Sequence, residues 1–304
     1  MIAVDWGLTR LRAYLLDAAG GVLESRESAA GVLRVEGGAF EAALLAEIAP
    51  WLGDHPAAAI LASGMITSRQ GWVETAYLPC PAGAAEIALG LTAHRLAEGR
   101  EIHFVPGLVH DGPGDVPDVM RGEETQILGA LAGGAESRLM LLPGTHSKWA
   151  SVADGRVLGF ATFMTGEVFA VLSEHSILGR MMAPPKFIDL DAFRRGLDYA
   201  WLLGPAGGLL HRLFSARTLA LFDQMPDTAT SDYLSGLLIG QEVAEALTMN
   251  AGGPVLTVGT PELAIRYGIA LDRLGVSSRP APRDVAAMGL HAVARAARLI
   301  GEER

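Results

Sequence analysis

The chain has 304 residues, half of them hydrophobic, with 37 glycines and 16 prolines; this is enough apolar material for two globular domains and excludes a disordered chain. Its net charge of -10 argues against nucleic acid or an anionic membrane as the main partner, while leaving room for a small anion held by a few arginines. Cys80 is the one cysteine, so neither a disulfide within the chain nor a thiolate metal cluster is available, and the eight histidines show no HxxxH or HxH spacing suited to zinc.

The opening "MIAVDWG" reads as a strand. No basic region precedes a long apolar stretch and no small-residue cleavage site follows, so it does not read as a signal peptide. Apolar stretches elsewhere are broken by Gly or charge well short of a membrane span, and the expected compartment is the cytoplasm. Ile2–Val4 is apolar and halts at Asp5, Gly7 and Thr9. Arg12–Asp17 reads as a second strand, "AAGG" as a tight turn, and Val22–Ser28 as a third strand. Helical spacing follows over Phe40–Trp51 and Ala85–Glu98. Between them lies a buried-type strand, Ala58–Gly64, that ends in the polar loop "MITSRQGW"; Ile102–Gly107 is another short strand. Arg121–Gly134 begins acidic and continues apolar, as a helix start does.

Arg138–Gly144, Trp149–Asp154 and Val157–Phe163 then repeat the opening order of strand, polar Gly-containing loop, strand, turn and strand. Placing Gly7 over Gly144 puts Ala13 over Ala150 and Asp17 over Asp154. The repeated order is the signal rather than the few identities. Helices are expected around Gly166–Met181, Ala192–Leu203, Leu209–Phe222 and Tyr233–Met249, then a strand at Pro254–Thr260 and a helix over Pro261–Leu274. In the last helix, about Pro282–Ile300, Val285, Met288, Ala292, Ala296 and Leu299 would form one stripe. This is an α/β pattern in two halves. The boundary is expected near Ser137, giving domains over 1–137 and 138–281, with helix 282–300 packing back on the first. The two Gly-containing turns would face a cleft from opposite sides.

Five segments hold residues suited to chemistry. In "DWGLTR", Asp5 follows a buried strand; Gly7 lets the backbone approach a ligand, and Thr9 and backbone N–H groups can hydrogen-bond phosphate oxygens. A bare carboxylate there would repel phosphate, so Asp5 reads as a holder of Mg²⁺ through its water shell; a solvated hairpin Asp is the plainer alternative. In "LPGTHSKW", Gly144, Thr145 and Ser147 make a phosphate-cradling turn and Lys148 adds charge. It is not a Walker A loop, because it opens a strand instead of a helix. His146 and Ser147 are adjacent, so in extended chain they point apart and do not suit a nucleophile and its base. A tight polar turn remains the alternative. In "MRGEETQ", Glu123 and Glu124 sit at a helix start, where a carboxylate is favoured in its charged form. In "SGMITSRQGW", Ser63, Gly64, Met65, Ser68, Arg69, Gln70 and Trp72 suit a hydroxyl-rich ligand, with Arg69 available for a carboxylate; a surface loop is equally open. Gly236 and Gly240 lie on one helix face and admit either a flat ring or a neighbouring helix. Gly259 ends a strand before a helix, where ligands sit in open α/β sheets.

Together these pieces resemble the sugar-kinase, Hsp70 and actin superfamily, whose members have two actin-like (ribonuclease H-like) domains around a central nucleotide cleft. "DWGLTR" resembles its first phosphate motif, "LPGTHSKW" the second and "LTVGTPEL" the adenosine motif. Within that superfamily the chain is similar nearly end to end to the 2-dehydro-3-deoxygalactonokinases, through "ASGMITSRQGWVE", "PDVMRGEETQILGAL", "MTGEVFAVLS", "FSAR" and "YLSGLLIGQE". Leu8 and Arg10 depart from the residue types common in the first motif. The resemblance implies transfer of the ATP γ-phosphate to the 6-hydroxyl of 2-dehydro-3-deoxy-D-galactonate, a step of galactonate breakdown before aldol cleavage, with ATP and Mg²⁺ as cofactors.

By the same resemblance Asp5 belongs to the metal and phosphate side with Gly7, Thr9 and Arg10. Gly144, Thr145, His146, Ser147 and Lys148 belong to the second phosphate loop, and Gly236, Gly240 and Gly259 to the adenosine side in the second domain. The sugar acid falls to the first domain. "RGEET" also resembles the "GEE" element of exopolyphosphatases, which places Glu123 as the base, with Glu124 and Asp118 as alternatives. Arg69, Arg121 or Arg12 would pair with the sugar-acid carboxylate. Two other functions remain in view: a phosphohydrolase, for which the chain lacks a basic channel, and a sugar-acid sensor, which would need an output module. A homodimer is one open assembly; neither oligomeric state nor galacto against gluco preference is fixed by sequence.

Overall fold

Short apolar runs that stop at Gly, Asp or Pro become strands, and longer runs with helical spacing become helices, in a computed structural model that describes residues 1–134, 138–184, 187–202, 208–249 and 253–301. The expected boundary at Ser137 and the expected helix end at Leu203 lie outside the described residues. The first half runs β1 (Ile2–Trp6), β2 (Leu11–Leu16), β3 (Val22–Ser28), α1 (Phe40–Asp54), β4 (Ile60–Ser63), β5 (Tyr77–Pro79), β6 (Ala82–Gly83), α2 (Ala84–Leu89), β7 (Thr92–Arg95), β8 (Glu101–Phe104), β9 (Gly107–Asp111), β10 (Pro117–Met120) and α3 (Glu123–Ala132). The second half runs β11 (Leu139–Leu142), β12 (Ser147–Ala153), β13 (Arg156–Phe163), α4 (Thr165–His175), α5 (Leu190–Leu202), α6 (Leu209–Leu213), α7 (Ser215–Leu221), α8 (Thr230–Met249), β14 (Val255–Thr257), α9 (Pro261–Arg273), β15 (Ser278–Pro280) and α10 (Val285–Ala296).

Contacts divide the chain into two units: Met1–Glu136 with Ala150–Phe160 and Ala281–Arg304, and Ser137–Trp149 with Ala161–Pro280. In the first unit the sheet order is β3-β2-β1-β4-β8-β7. β1 is antiparallel to β2 and parallel to β4, which is parallel to β8. In the second unit the order β13-β12-β11-β14-β15 repeats the first five places, with β11, β14 and β15 mutually parallel. Both orders are a meander followed by parallel strands, the ribonuclease H-like arrangement expected from the sequence. The hairpin tip 150–160 falls in the first unit because Arg156 and Val157 of β13 pair with Gly83 and Ala82 of β6.

In the first unit Ile2, Val4, Trp6, Leu11, Ala13 and Ile60 pack with α1 residues Leu44, Ile48 and Trp51 in one core. Because side chains alternate along a strand, Asp5, Arg12 and Ser63 stand on the opposite sheet face. In the second unit Leu139, Leu141, Trp149, Phe193, Leu197, Val243 and Tyr267 form the core.

Several elements differ from the sequence reading. The helix expected over Ala85–Glu98 ends at Gly90, where a Cβ would come within 2.9 Å of Leu78, and Thr92–Arg95 instead pairs antiparallel with β8. The helix expected over Gly166–Met181 ends at His175, because Ser176 turns extended and its hydroxyl accepts the Leu178 N–H. Leu209–Phe222 is two helices broken at Phe214, where Ser215 Oγ donates to the Arg212 carbonyl at 2.6 Å and competes with the helix ladder. The last helix buries Val285, Ala286, Gly289, Leu290, Val293 and Ala294, whereas Ala292 is half-buried and Ala296 exposed. Small residues explain the shift. A Cβ on Gly289 would meet the Thr125 carbonyl at 1.7 Å and one on Gly129 the Val285 carbonyl at 1.7 Å, so α3 and α10 touch backbone to backbone. Among the described residues no helix is long and apolar enough to cross a membrane.

Candidate active site

The first unit carries a polar row across its sheet. Asp5 on β1 is in register with Arg12 on β2 and Ser63 on β4, and Arg12 with Glu27 on β3. The Arg12 guanidinium donates to Asp5 Oδ2 at 3.3 Å and to Glu27 Oε2 at 3.3 Å. Burial pushes the Asp5 carboxyl up, and Arg12 offsets part of that shift. A largely covered carboxylate with one weak cationic partner is suited to holding a further cation.

The turn after β1 is a two-residue hairpin loop closed by Gly7 N–H to the Arg10 carbonyl at 2.9 Å. Thr9 is exposed. The segment after β3 braces the turn, with Val32 N–H donating to the Gly7 carbonyl and Leu33 N–H to the Leu8 carbonyl. Gly31 makes this possible, since a Cβ there would lie 2.2 Å from Thr9 backbone carbon. The Arg10 side chain pairs with Glu27.

The row leads to the start of α3. Ser63 Oγ lies 3.3 Å from Thr125 Oγ1, which donates to the Gly122 carbonyl. Gly122 at φ +107° lies over Gly64 at φ +93°, where an added Cβ at Gly122 would stand 3.0 Å from Gly64 Cα. Glu123 is half-buried and its Oε2 accepts the Arg121 N–H at 3.0 Å. Glu124 is fully buried. Its Oε2 accepts the Gly122 N–H at 2.7 Å and its Oε1 has no hydrogen-bond partner. Burial, with the neighbouring Glu123 charge, pushes Glu124 up to about 8. Two adjacent carboxyls are thereby set apart: one buried, where its protonated form is favoured, the other nearer solvent.

Arg121 does not offer a free fork to a ligand. Its Nη1 donates to the Thr67 carbonyl, Thr67 Oγ1 and Thr75 Oγ1 at 2.6–2.7 Å, its Nη2 to the Thr75 carbonyl at 3.0 Å, and it lies over the Tyr77 ring. It fixes the 67–75 loop. Within that loop Ser68 Oγ donates to the Met65 carbonyl, while Gln70 is exposed. The Arg69 side chain is 89 % exposed and reaches Glu74 at 3.8 Å. Trp72 is half-buried against Phe40, His94 and Phe104, a core role rather than a ligand-facing one. Asp118 Oδ1 accepts the Val119 N–H on β10.

In the second unit the turn 143–146 leaves Gly144, Thr145 and His146 exposed, and β12 begins at Ser147. The start of α4 braces it. Gly166 approaches so closely that a Cβ would lie 2.3 Å from the Gly144 carbonyl oxygen; Glu167 N–H donates to the Thr145 carbonyl at 3.0 Å, and the Glu167 carboxylate pairs with His146. Gly259, after β14, sits beside Pro143, and Thr260 caps α9 by accepting the Leu263 N–H.

Four residues expected to serve a nucleotide face elsewhere. Ser147 is fully buried with its Oγ 3.0 Å from Tyr267 Oη, which donates to Glu242 Oε2 at 2.6 Å; Trp149 Nε1 donates to the other Glu242 oxygen. Burial pushes Glu242 up. Gly236 and Gly240 are covered by α5: a Cβ would meet the Phe193 carbonyl at 2.1 Å and Ala200 Cβ at 2.8 Å. Their small size serves helix packing. Lys148 is buried and donates to Thr162 Oγ1 at 2.6 Å. Sequence reasoning missed Gly31, Gly166 and Glu167 as braces; the string "MTGEVF" beside a phosphate-type turn was the available signal.

Two units of one strand order, each with a braced Gly turn after its first strand, define a ribonuclease H-like α/β protein with a carboxylate-rich site in one unit. Its sequence matches the model of the 2-keto-3-deoxy-galactonokinase family over residues 5–293, and the chain belongs to that family. It is 39 % identical over 302 residues to a probable 2-dehydro-3-deoxygalactonokinase of Rhizobium meliloti (strain 1021), covering 97 % of this chain and 96 % of the relative. It is 38 % identical over 299 residues to the 2-dehydro-3-deoxygalactonokinase of Escherichia coli (strain K12), covering 97 % of each. A crystal structure of a Sinorhizobium meliloti protein assigned as a 2-dehydro-3-deoxygalactonokinase matches with a TM-score of 0.81 at 38 % identity, over 97 % of this chain and 98 % of that one.

Proposed function

We propose that the protein transfers the γ-phosphoryl group of ATP to the 6-hydroxyl of 2-dehydro-3-deoxy-D-galactonate, giving 2-dehydro-3-deoxy-6-phosphogalactonate and ADP. Family membership supports the reaction class. The observation that carries the mechanism is the unlike pair at the start of α3, with Glu123 half-buried and Glu124 buried with its carboxyl pushed up to about 8.

In this reading Glu123 accepts the proton of the 6-hydroxyl as the O–P bond forms and the bond to the ADP oxygen breaks. Phosphoryl transfer needs an oriented acceptor more than a strong base. Glu124, protonated at pH 7, adds no second negative charge beside the incoming phosphate. Asp5 would hold Mg²⁺, whose chemistry is to neutralise charge on the phosphates. In the first unit the turn at Leu8 and Thr9 would serve phosphate oxygens through its backbone N–H groups; in the second unit the 144–146 turn and Gly259 are the residues on the nucleotide side. Arg121 acts as a positioning residue that fixes the 67–75 loop.

Incubation with Mg-ATP and a panel of 2-dehydro-3-deoxy sugar acids, with ADP followed, tests the reading. ADP release that depends on the galacto acid is the expected result. Release independent of any acid would indicate a phosphohydrolase, and no release a sensor.

A further inference from the structure

An open pocket of about 480 Å³ in the first unit is lined by Thr9, Arg10, Glu27, Ser28, Ala29 and Arg34. Arg10 is paired with Glu27. The Arg34 side chain is exposed and has no ion-pair or hydrogen-bond partner among the described residues. The two arginines against one glutamate leave one net positive charge, which matches a monoanion and falls short of a triphosphate. Thr9 and Ser28 supply hydroxyls.

We propose that this cavity is the subsite for the carboxylate of the acid substrate, with Arg34 as its cation. The inference rests on the kinase reading above. Three other arginines are spent or remote: Arg121 is used up inside the fold, Arg12 spans Asp5 and Glu27, and Arg69 lies on the surface beside Glu74. Distance agrees. Asp5 and Glu27 stand two strands apart in one register row, or about 10 Å. An extended six-carbon acid, six bonds of about 1.5 Å in zigzag, spans roughly 7–8 Å. A substrate lying along the row with its terminal hydroxyl near Asp5 would put its carboxylate at the Glu27 end, beside the pocket that Glu27 and Arg34 both line. Arg34 also rides on the segment that braces the 7–10 turn, through Val32 and Leu33. Acid binding and phosphate-turn geometry thus share one short piece of chain.

The test compares Arg34→Ala with wild type. KM for 2-dehydro-3-deoxy-D-galactonate should rise about 10- to 100-fold, the loss of a charge-assisted contact, with KM for ATP within about twofold. The corresponding 1-amide, which lacks the charge, should bind both proteins equally weakly in calorimetry. An unchanged KM for the acid, or a rise confined to ATP, overturns the proposal; the second result would make the cavity a phosphate site. Calorimetric binding of the acid without nucleotide reads the subsite even where no ADP forms. A wild type that binds acid through Arg34 but releases no ADP sinks the kinase reading and not this one. Arg34→Lys should recover part of the lost affinity, as a purely structural role would not predict.

Discussion

The two Gly turns occupy the same place in the same strand order but are built differently. The 7–10 turn opens a row of charged side chains, Asp5, Arg12 and Glu27, that runs across its sheet. Around the 144–146 turn the described residues form no such row, and the residue after it, Ser147, is buried under Tyr267 and Glu242. The first turn is braced by a loop that Gly31 lets in; the second is braced by the start of a helix that Gly166 lets in. One topology thus yields one turn flanked by side-chain chemistry and another that offers mainly backbone donors. Chemistry should fail hardest on changes in the first unit, and nucleotide affinity on changes in the second.

The largest effect is expected from Glu123→Gln, which keeps size and removes the proton acceptor. Turnover should fall about 10²- to 10⁴-fold, while nucleotide affinity measured by calorimetry stays near wild type. Near-normal turnover would remove Glu123 from the base role and return Asp118 to consideration.

A second pair of variants probes the braces. Gly31→Ala and Gly166→Ala each force a Cβ against backbone, at 2.2 Å and 2.3 Å, where overpacking costs about 1–3 kcal/mol. Both should lower Tm. Gly31→Ala should also depress kcat, through the turn beside Asp5, whereas Gly166→Ala should act mainly on KM for ATP. Equal effects on both constants would mean that the two turns do one job.

These differences also mark what the sequence makes legible. Both meanders, the turns after β1 and β11 and the acidic start of α3 follow from hydrophobic pattern and Gly placement. The small sheet of β10, β9 and β5 does not, because its strands are short, begin or end at Pro or Gly, and β5 pairs with β9 across a long stretch of chain, Tyr77 with Gly107. Nor does the use of Gly236 and Gly240: a glycine records close approach without saying whether helix or ligand comes near. Arg121 looked equally suited to a substrate until its acceptors, Thr67 and Thr75, were seen 54 and 46 residues away. Charge pattern alone cannot separate a staple from a clamp.

Glu124 should give a smaller, pH-dependent effect. Its folded pKa of about 8 lies above the ordinary 4.5, so the folded state holds a proton that the unfolded chain has released. The contribution of this group to stability is full below about pH 4.5 and is lost as pH rises towards 8. Glu124→Gln mimics the neutral acid, and its Tm should fall less than wild type between pH 5 and 8, with a difference on the order of a few kcal/mol at the top of that range. Parallel Tm profiles would show Glu124 ionised in the fold at neutral pH.

The smallest effect is expected at His146. Its pair with Glu167 is close to half exposed on both sides, at 47 % and 43 %, and such pairs contribute about 0–1 kcal/mol. The turn beneath keeps its backbone bond from Glu167 N–H to the Thr145 carbonyl and its contact with Gly166 whether or not the imidazole is present. His146→Ala should therefore leave Tm within a few degrees of wild type and raise KM for ATP only severalfold, with kcat little changed. Glu167→Gln should do the same, since both remove one pair. A collapse of kcat with normal ATP affinity would instead make His146 a chemical participant, and the second turn would then carry side-chain chemistry like the first.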